Sequence, residues 1–121
     1  MKEGSVVLAV IPQADSELKR RPAIVLRVLP GYNDLLICGV STRLYQEVKG
    51  FDEVVSRFDA DFASSGLQTD SLIRLGHLIA LPEKRFEGEI GSISSKRHKR
   101  LLKTLSNYLS PKPQRGKTAP K

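Results

Sequence analysis

The chain has 121 residues, 40% hydrophobic and 27% charged, the balance of one water-soluble globular domain with room for a core and too short for two. No apolar run approaches the roughly 20 residues of a membrane span. No signal peptide is expected after Met1-Lys2-Glu3-Gly4, and the single Cys38 excludes an internal disulfide and suits a reducing cytoplasm. The net charge of +7 is uneven: nine of the 20 Lys/Arg and none of the 13 Asp/Glu lie beyond residue 95, so the first 95 residues carry a net −2. Charge alone therefore permits a nucleic-acid partner without requiring one.

Taken in order, residues 6–11 are an apolar run suited to a buried strand, and residues 12–20, rich in Pro, Asp, Ser and charges, read as a loop. Pro22 lacks an N–H and fixes its own φ, which suits the first residue of a strand, so a second strand is expected over 23–29. Residues 30–34 (Pro-Gly-Tyr-Asn-Asp) form a turn dense in breakers, and 35–40 a third strand. The first three strands make an antiparallel meander, and 41–43 turn polar as the third exits. A fourth, more exposed strand is expected within 47–55, and a single helical turn over 59–64, closed by Gly66. One or two strands follow over 71–81, broken near Gly76, then a short last strand over 89–93. Ser94 or Ser95 is a good N-cap for a helix that carries Leu101, Leu102, Leu105, Tyr108 and Leu109 on one face and Lys and Arg on the other, ending near Ser110-Pro111. The chain divides into a domain over 1–110 and a basic tail over 111–121, expected to be disordered. The fold class is mainly β with a C-terminal helix: a barrel or half-barrel of five to seven strands.

Chemistry concentrates at Lys19-Arg20-Arg21-Pro22. The proline biases Arg21 toward extended backbone, which holds at the mouth of a strand a guanidinium whose fork matches phosphate. Without further pattern, a surface cation flanking a strand is the better reading. Ser41 and Thr42 fall on alternate faces as the third strand ends, so only one of them faces any site there, and the other is a turn residue. Arg74, between Ile73 and Leu75, faces away from their side. His77 reads as a structural or surface histidine, His98 as helix surface and Cys38 as a buried small hydrophobe. No cluster has metal-ligand spacing.

The order of "GSVVLAVIP", "KRRPAIVL", "CGVSTRL", "SGLQTDSLIRLGHLIAL", "GEIGSIS" and a leucine-rich helix resembles the MazF/PemK family of toxins over about residues 4–109. The resemblance implies a small SH3-like β-barrel (the MazF/CcdB-like toxin fold) that forms a homodimer. It implies a cytoplasmic toxin of a type II toxin–antitoxin system, silenced by a cognate antitoxin whose acidic, initially disordered segment folds onto it. Most members are metal-independent endoribonucleases, working without a cofactor. They cut single-stranded RNA (mRNA) at short sequences and leave 2′,3′-cyclic phosphate and 5′-OH ends. DNA binding is implied only through the antitoxin, and no membrane is involved.

Within that pattern Arg21 matches the family's arginine before proline, placed to stabilise charge on the phosphorane, and the resemblance implies a part for it in acid–base work as well. Aligned on Val40 and Leu44, Ser41 matches the family's threonine, whose hydroxyl would bond a non-bridging oxygen; a shift of one residue puts Thr42 there instead. Lys19, Arg20, Arg43 and Arg74 are candidate RNA contacts or solvated charges, and His77 is the reserve candidate for the base. With 6% aromatics and no Trp, base stacking is not the main source of affinity. Two departures weigh against a nuclease: a serine where the family has threonine, and Ser5 where it commonly has an acid. The gyrase poison CcdB shares the barrel but acts by binding a protein, so a gyrase-binding toxin or a degenerate RNA-binding member stays open.

Overall fold

The computed structural model describes residues 1–111 apart from residues 13 and 16. Six strands, β1 (Ser5–Pro12), β2 (Leu18–Val28), β3 (Leu35–Ser41), β4 (Glu53–Val55), β5 (Ser71–Leu81) and β6 (Phe86–Ser92), form one curled antiparallel sheet in the order β4-β5-β3-β2-β1-β6. The expected meander is its centre. A short helix α1 (Phe62–Ser65) lies against β6, and α2 (Ser95–Leu109) crosses the sheet. Period-2 alternation divides the apolar residues into two cores. Val6, Ile24, Leu26, Cys38, Val40, Ile73 and Leu75 pack beneath Leu101 and Leu105 of α2. Val7, Ala9, Val25, Ile37 and Phe86 fill the other side of the half-barrel.

Four elements depart from the sequence expectation, two of them only in their bounds: α1 covers 62–65 where 59–64 is expected, and β6 begins at Phe86 where 89 is expected. β2 begins at Leu18, so Pro22 stands inside a strand, opposite Leu8 of β1. The ladder to β3 starts only at Ala23–Gly39, which leaves residues 18–22 with β1 alone as neighbour; an edge of this kind tolerates a residue without an N–H. The expected fourth strand over 47–55 is reduced to β4, preceded by a 3₁₀ turn at Leu44–Gln46. A buried carboxylate organises this stretch: Asp52 accepts hydrogen bonds from Val48 N at 2.9 Å and Leu75 N at 3.0 Å.

β5 is continuous through Gly76, but its register slips. Cys38 faces Leu78 and the next residue, Gly39, faces Arg74, so Leu75, Gly76 and His77 bulge out of the ladder. The Leu75 N–H that the bulge frees is the one Asp52 accepts.

α2 starts at Ser94, whose Oγ accepts from Arg97 N. Its polar face is not all solvated. Arg97, only 6% exposed, donates to both oxygens of Asp61, to Asp59, to Glu53 and to the Val54 carbonyl. Its hydrogen bonds hold the Asp61 carboxyl down at about 2, although burial opposes them. His98 is not free helix surface either. Its Nε2 donates to the carbonyl of Leu26, the extra residue of the β2–β3 register. Leu101 and Leu105 are buried as expected, whereas Tyr108 and Leu109 are largely exposed, with Tyr108 meeting Phe51 edge-on at 5.5 Å between ring centroids. Cys38 is fully buried, which pushes its thiol up to about 12. No helix among the described residues is long and apolar enough to cross a membrane. The expected disordered tail falls, Pro111 aside, outside the described residues.

Candidate active site

The groove of interest opens where β2 and β3 part. Residues opposite one another in a sheet share a face, and Ala23, Gly39 and Arg74 form one row across β2, β3 and β5. Two residues beyond Ala23 and Gly39 the same face presents Arg21 and Ser41, past the last β2–β3 pair, so the strands diverge with these side chains between them. The resulting cavity of about 380 Å³ is lined by Ile11, Arg21, Ser41, Arg43, Arg74 and His77, among others.

Charge distinguishes the groove. Most other arginines among the described residues are paired: Arg20 with Glu87, Arg27 with Glu3, Arg57 with Asp70, Arg100 with Glu53, and Arg97 with its acidic cluster; outside the groove Arg85 alone has no such pair. Among the described residues Arg21, Arg43 and Arg74 have no carboxylate partner, and no Asp or Glu lines the cavity. Three guanidiniums converging without a counter-charge make a site for an anion, and the guanidinium fork suits phosphate. Ser41 Oγ accepts from Arg43 N at 3.0 Å, which leaves the hydroxyl proton to donate into the groove.

The structure separates the sequence candidates. Ser41 lines the groove, while Thr42 lines a depression on the opposite face with Leu8, Pro22 and Leu67. Arg43, Arg74 and His77 join Arg21. Arg20 does not: it points to the other side of β2, opposite Val10, and pairs with Glu87. Lys19 shares Arg21's face, opposite Ile11, but lies outside the cavity lining.

Sequence reasoning missed Gly39 and Asp52. A β-carbon built on Gly39 would stand 2.6 Å from His77 Nδ1, so the imidazole rests directly on bare backbone. An isolated glycine inside a strand is itself a sign of such close approach. Asp52 offered no comparable signal, since nothing local marks it as the partner of Leu75.

Comparisons with known proteins bear on nearly the whole chain. A family model described as PemK-like, MazF-like toxin of type II toxin–antitoxin system matches residues 2–109. Among solved structures, the Mycobacterium tuberculosis toxin MazF-mt6 is similar with a TM-score of 0.63, covering 87% of this chain and 95% of that one. At 18% identity that likeness speaks for the fold. No curated protein matches the sequence.

Proposed function

The chain belongs to the PemK-like, MazF-like family of toxins from type II toxin–antitoxin systems, and we propose that it is an endoribonuclease that cuts single-stranded RNA by internal transesterification. In this reaction the RNA's own 2′-hydroxyl attacks the adjacent phosphorus and the 5′-oxygen leaves, giving a 2′,3′-cyclic phosphate and a 5′-OH end. The observation that carries the reading is the set of three arginines without carboxylates in one groove. Negative charge builds on the phosphoryl oxygens as the phosphorane forms, and fixed positive charge aimed there is commonly the largest single contribution to such catalysis. Arg21 holds that role. Ser41 donates its hydroxyl to a non-bridging oxygen. Arg43 and Arg74 hold flanking phosphates, and the attacking 2′-OH is what separates RNA from DNA as substrate.

The same groove suits an acidic antitoxin segment, whose carboxylates would occupy the phosphate positions and block the site. The protein acts as a homodimer in the cytoplasm, and it meets DNA only through the antitoxin. Incubation with a long single-stranded RNA in EDTA, beside Arg21→Ala, tests the reading. Discrete cuts with 5′-hydroxyl ends, absent with the variant, are expected. Intact RNA in the presence of folded protein, or growth arrest that survives Arg21→Ala, would move the function to binding of a protein target such as gyrase.

A further inference from the structure

From the β5 bulge we infer that His77 is the general base of this reaction, a role that rests on the nuclease reading above. Attack requires that the 2′-OH lose a proton, and a guanidinium, protonated at any ordinary pH, is poorly suited to take it. An imidazole is the side chain that exchanges protons readily near neutral pH. Among the groove residues His77 alone has that chemistry; the charged groups around it are Arg21 from β2, Arg43 from the segment after β3 and Arg74 from its own strand.

The backbone is arranged to present this ring. In an unbroken β5–β3 ladder Leu75, Gly76 and His77 would each face a β3 residue; the slip between Cys38 and Gly39 releases all three. Leu75 turns into the core beneath α2, its N–H held by Asp52, and Gly76 passes over Phe51. His77 emerges above Gly39. Its Nδ1 is the atom closest to the missing β-carbon, with Cγ and Cε1 both at 3.3 Å from that point. The ring therefore stands on its Nδ1 edge, and its Cδ2 and Nε2 atoms lie farther from Gly39. Among the described residues neither ring nitrogen has a hydrogen-bond partner, in contrast to His98, whose Nε2 is used structurally.

In the proposed step the 2′-OH proton passes to His77 Nε2 as the 2′-oxygen bonds to phosphorus. The bond from phosphorus to the 5′-oxygen breaks, and that oxygen takes a proton from water. The imidazolium then returns its proton to solvent, so that atoms and charge balance.

The test uses the full chain in EDTA with an RNA that contains a mapped cut site. Cleavage rates for wild type, His77→Ala and His77→Gln are measured across pH, and binding is followed by anisotropy with a 2′-deoxy analogue that cannot be cut. The expected result is a rate loss on the order of 10²- to 10⁴-fold in both variants. The pH dependence of the wild-type rate is lost with it, free imidazole partly restores His77→Ala, and analogue affinity stays within about threefold. A variant that cleaves at the wild-type rate with the wild-type pH profile overturns the assignment while the nuclease reading stands. Wild-type protein that cuts no RNA overturns the nuclease reading and this role with it.

Discussion

The imidazole of His77 occupies the place a side chain on Gly39 would take: a β-carbon there would stand 2.6 Å from Nδ1. The ring can rest there because Gly39 carries no side chain. Gly39→Ala should therefore leave the fold standing. The three atoms nearest the added carbon all belong to the His77 ring, the movable end of an exposed side chain. The ring must swing aside, and RNA cleavage should fall with it while the melting temperature moves by only a few degrees. A Gly39→Ala enzyme as active as wild type would show that the position of the imidazole is immaterial.

Arg20 and Arg21 are adjacent cations on opposite faces of β2, and they make a matched pair of probes. Arg20 has Glu87 as its partner outside the groove, and Arg21 has no acid beside it. Arg21→Ala should reduce cleavage on the order of 10²- to 10³-fold. Arg20→Ala removes an exposed ion pair of little energetic weight, and should leave the rate within about twofold. Equal losses from both would mean that diffuse positive charge, not a placed guanidinium, drives the reaction.

Much of this was legible in the sequence, and the part that was not has a common physical cause. The meander, the Ser94 cap, the Gly66 stop and the Leu101–Leu105 stripe each depend on neighbours close along the chain, so local pattern reveals them. Pro22 misled because its preference for a strand start is local, whereas what admits it at mid-strand is the absence of β3 beside residues 18–22. Arg97 misled in the same way. It lies on the polar face of α2, yet Glu53 from β4 and Asp59 and Asp61 from the segment between β4 and α1 arrive to bury it. In the groove, Arg21 and Ser41 were candidates through the family pattern they match, since residue type alone favoured a surface cation and alternation left Ser41 and Thr42 open. The support for His77 came from the bulge and from Asp52, which only the folded register brings together.

The choice between Ser41 and Thr42 is one of strand register, and it has a clean readout. Ser41 faces the groove with Arg21, and Thr42 faces the opposite depression. Loss of a hydrogen bond to a charged phosphoryl oxygen typically costs about 1.5–3 kcal/mol, so Ser41→Ala should slow cleavage by roughly tenfold to a hundredfold, with only a small loss of stability from the exposed Arg43 N–H it leaves without its acceptor. Thr42→Ala should remain near wild type. Ser41→Thr keeps the hydroxyl and adds a methyl that restrains χ1, and its rate should equal or exceed that of the native serine. The opposite ranking, with Thr42→Ala the impaired enzyme, would place the working hydroxyl on the other face.

The anchor between α2 and the loops should make stability depend on acid in a defined window. Asp61 sits at about 2 in the folded protein, held there by its hydrogen bonds to Arg97, against about 3.9 for an aspartate in an unfolded chain. A carboxylate with a lowered folded value stabilises the native state above its unfolded value, and that contribution disappears as pH falls through the folded value. Between about pH 4 and pH 2 the protein should therefore lose about 2 kcal/mol of unfolding free energy through this one group. Asp61→Asn should be less stable than wild type at pH 7, where it leaves the Arg97 guanidinium buried beside a neutral amide. Its stability should then fall less steeply than that of wild type between pH 4 and pH 2, so the two curves converge in acid. Urea unfolding at half-unit pH steps measures both slopes; parallel curves would show that Asp61 is not a source of the acid sensitivity.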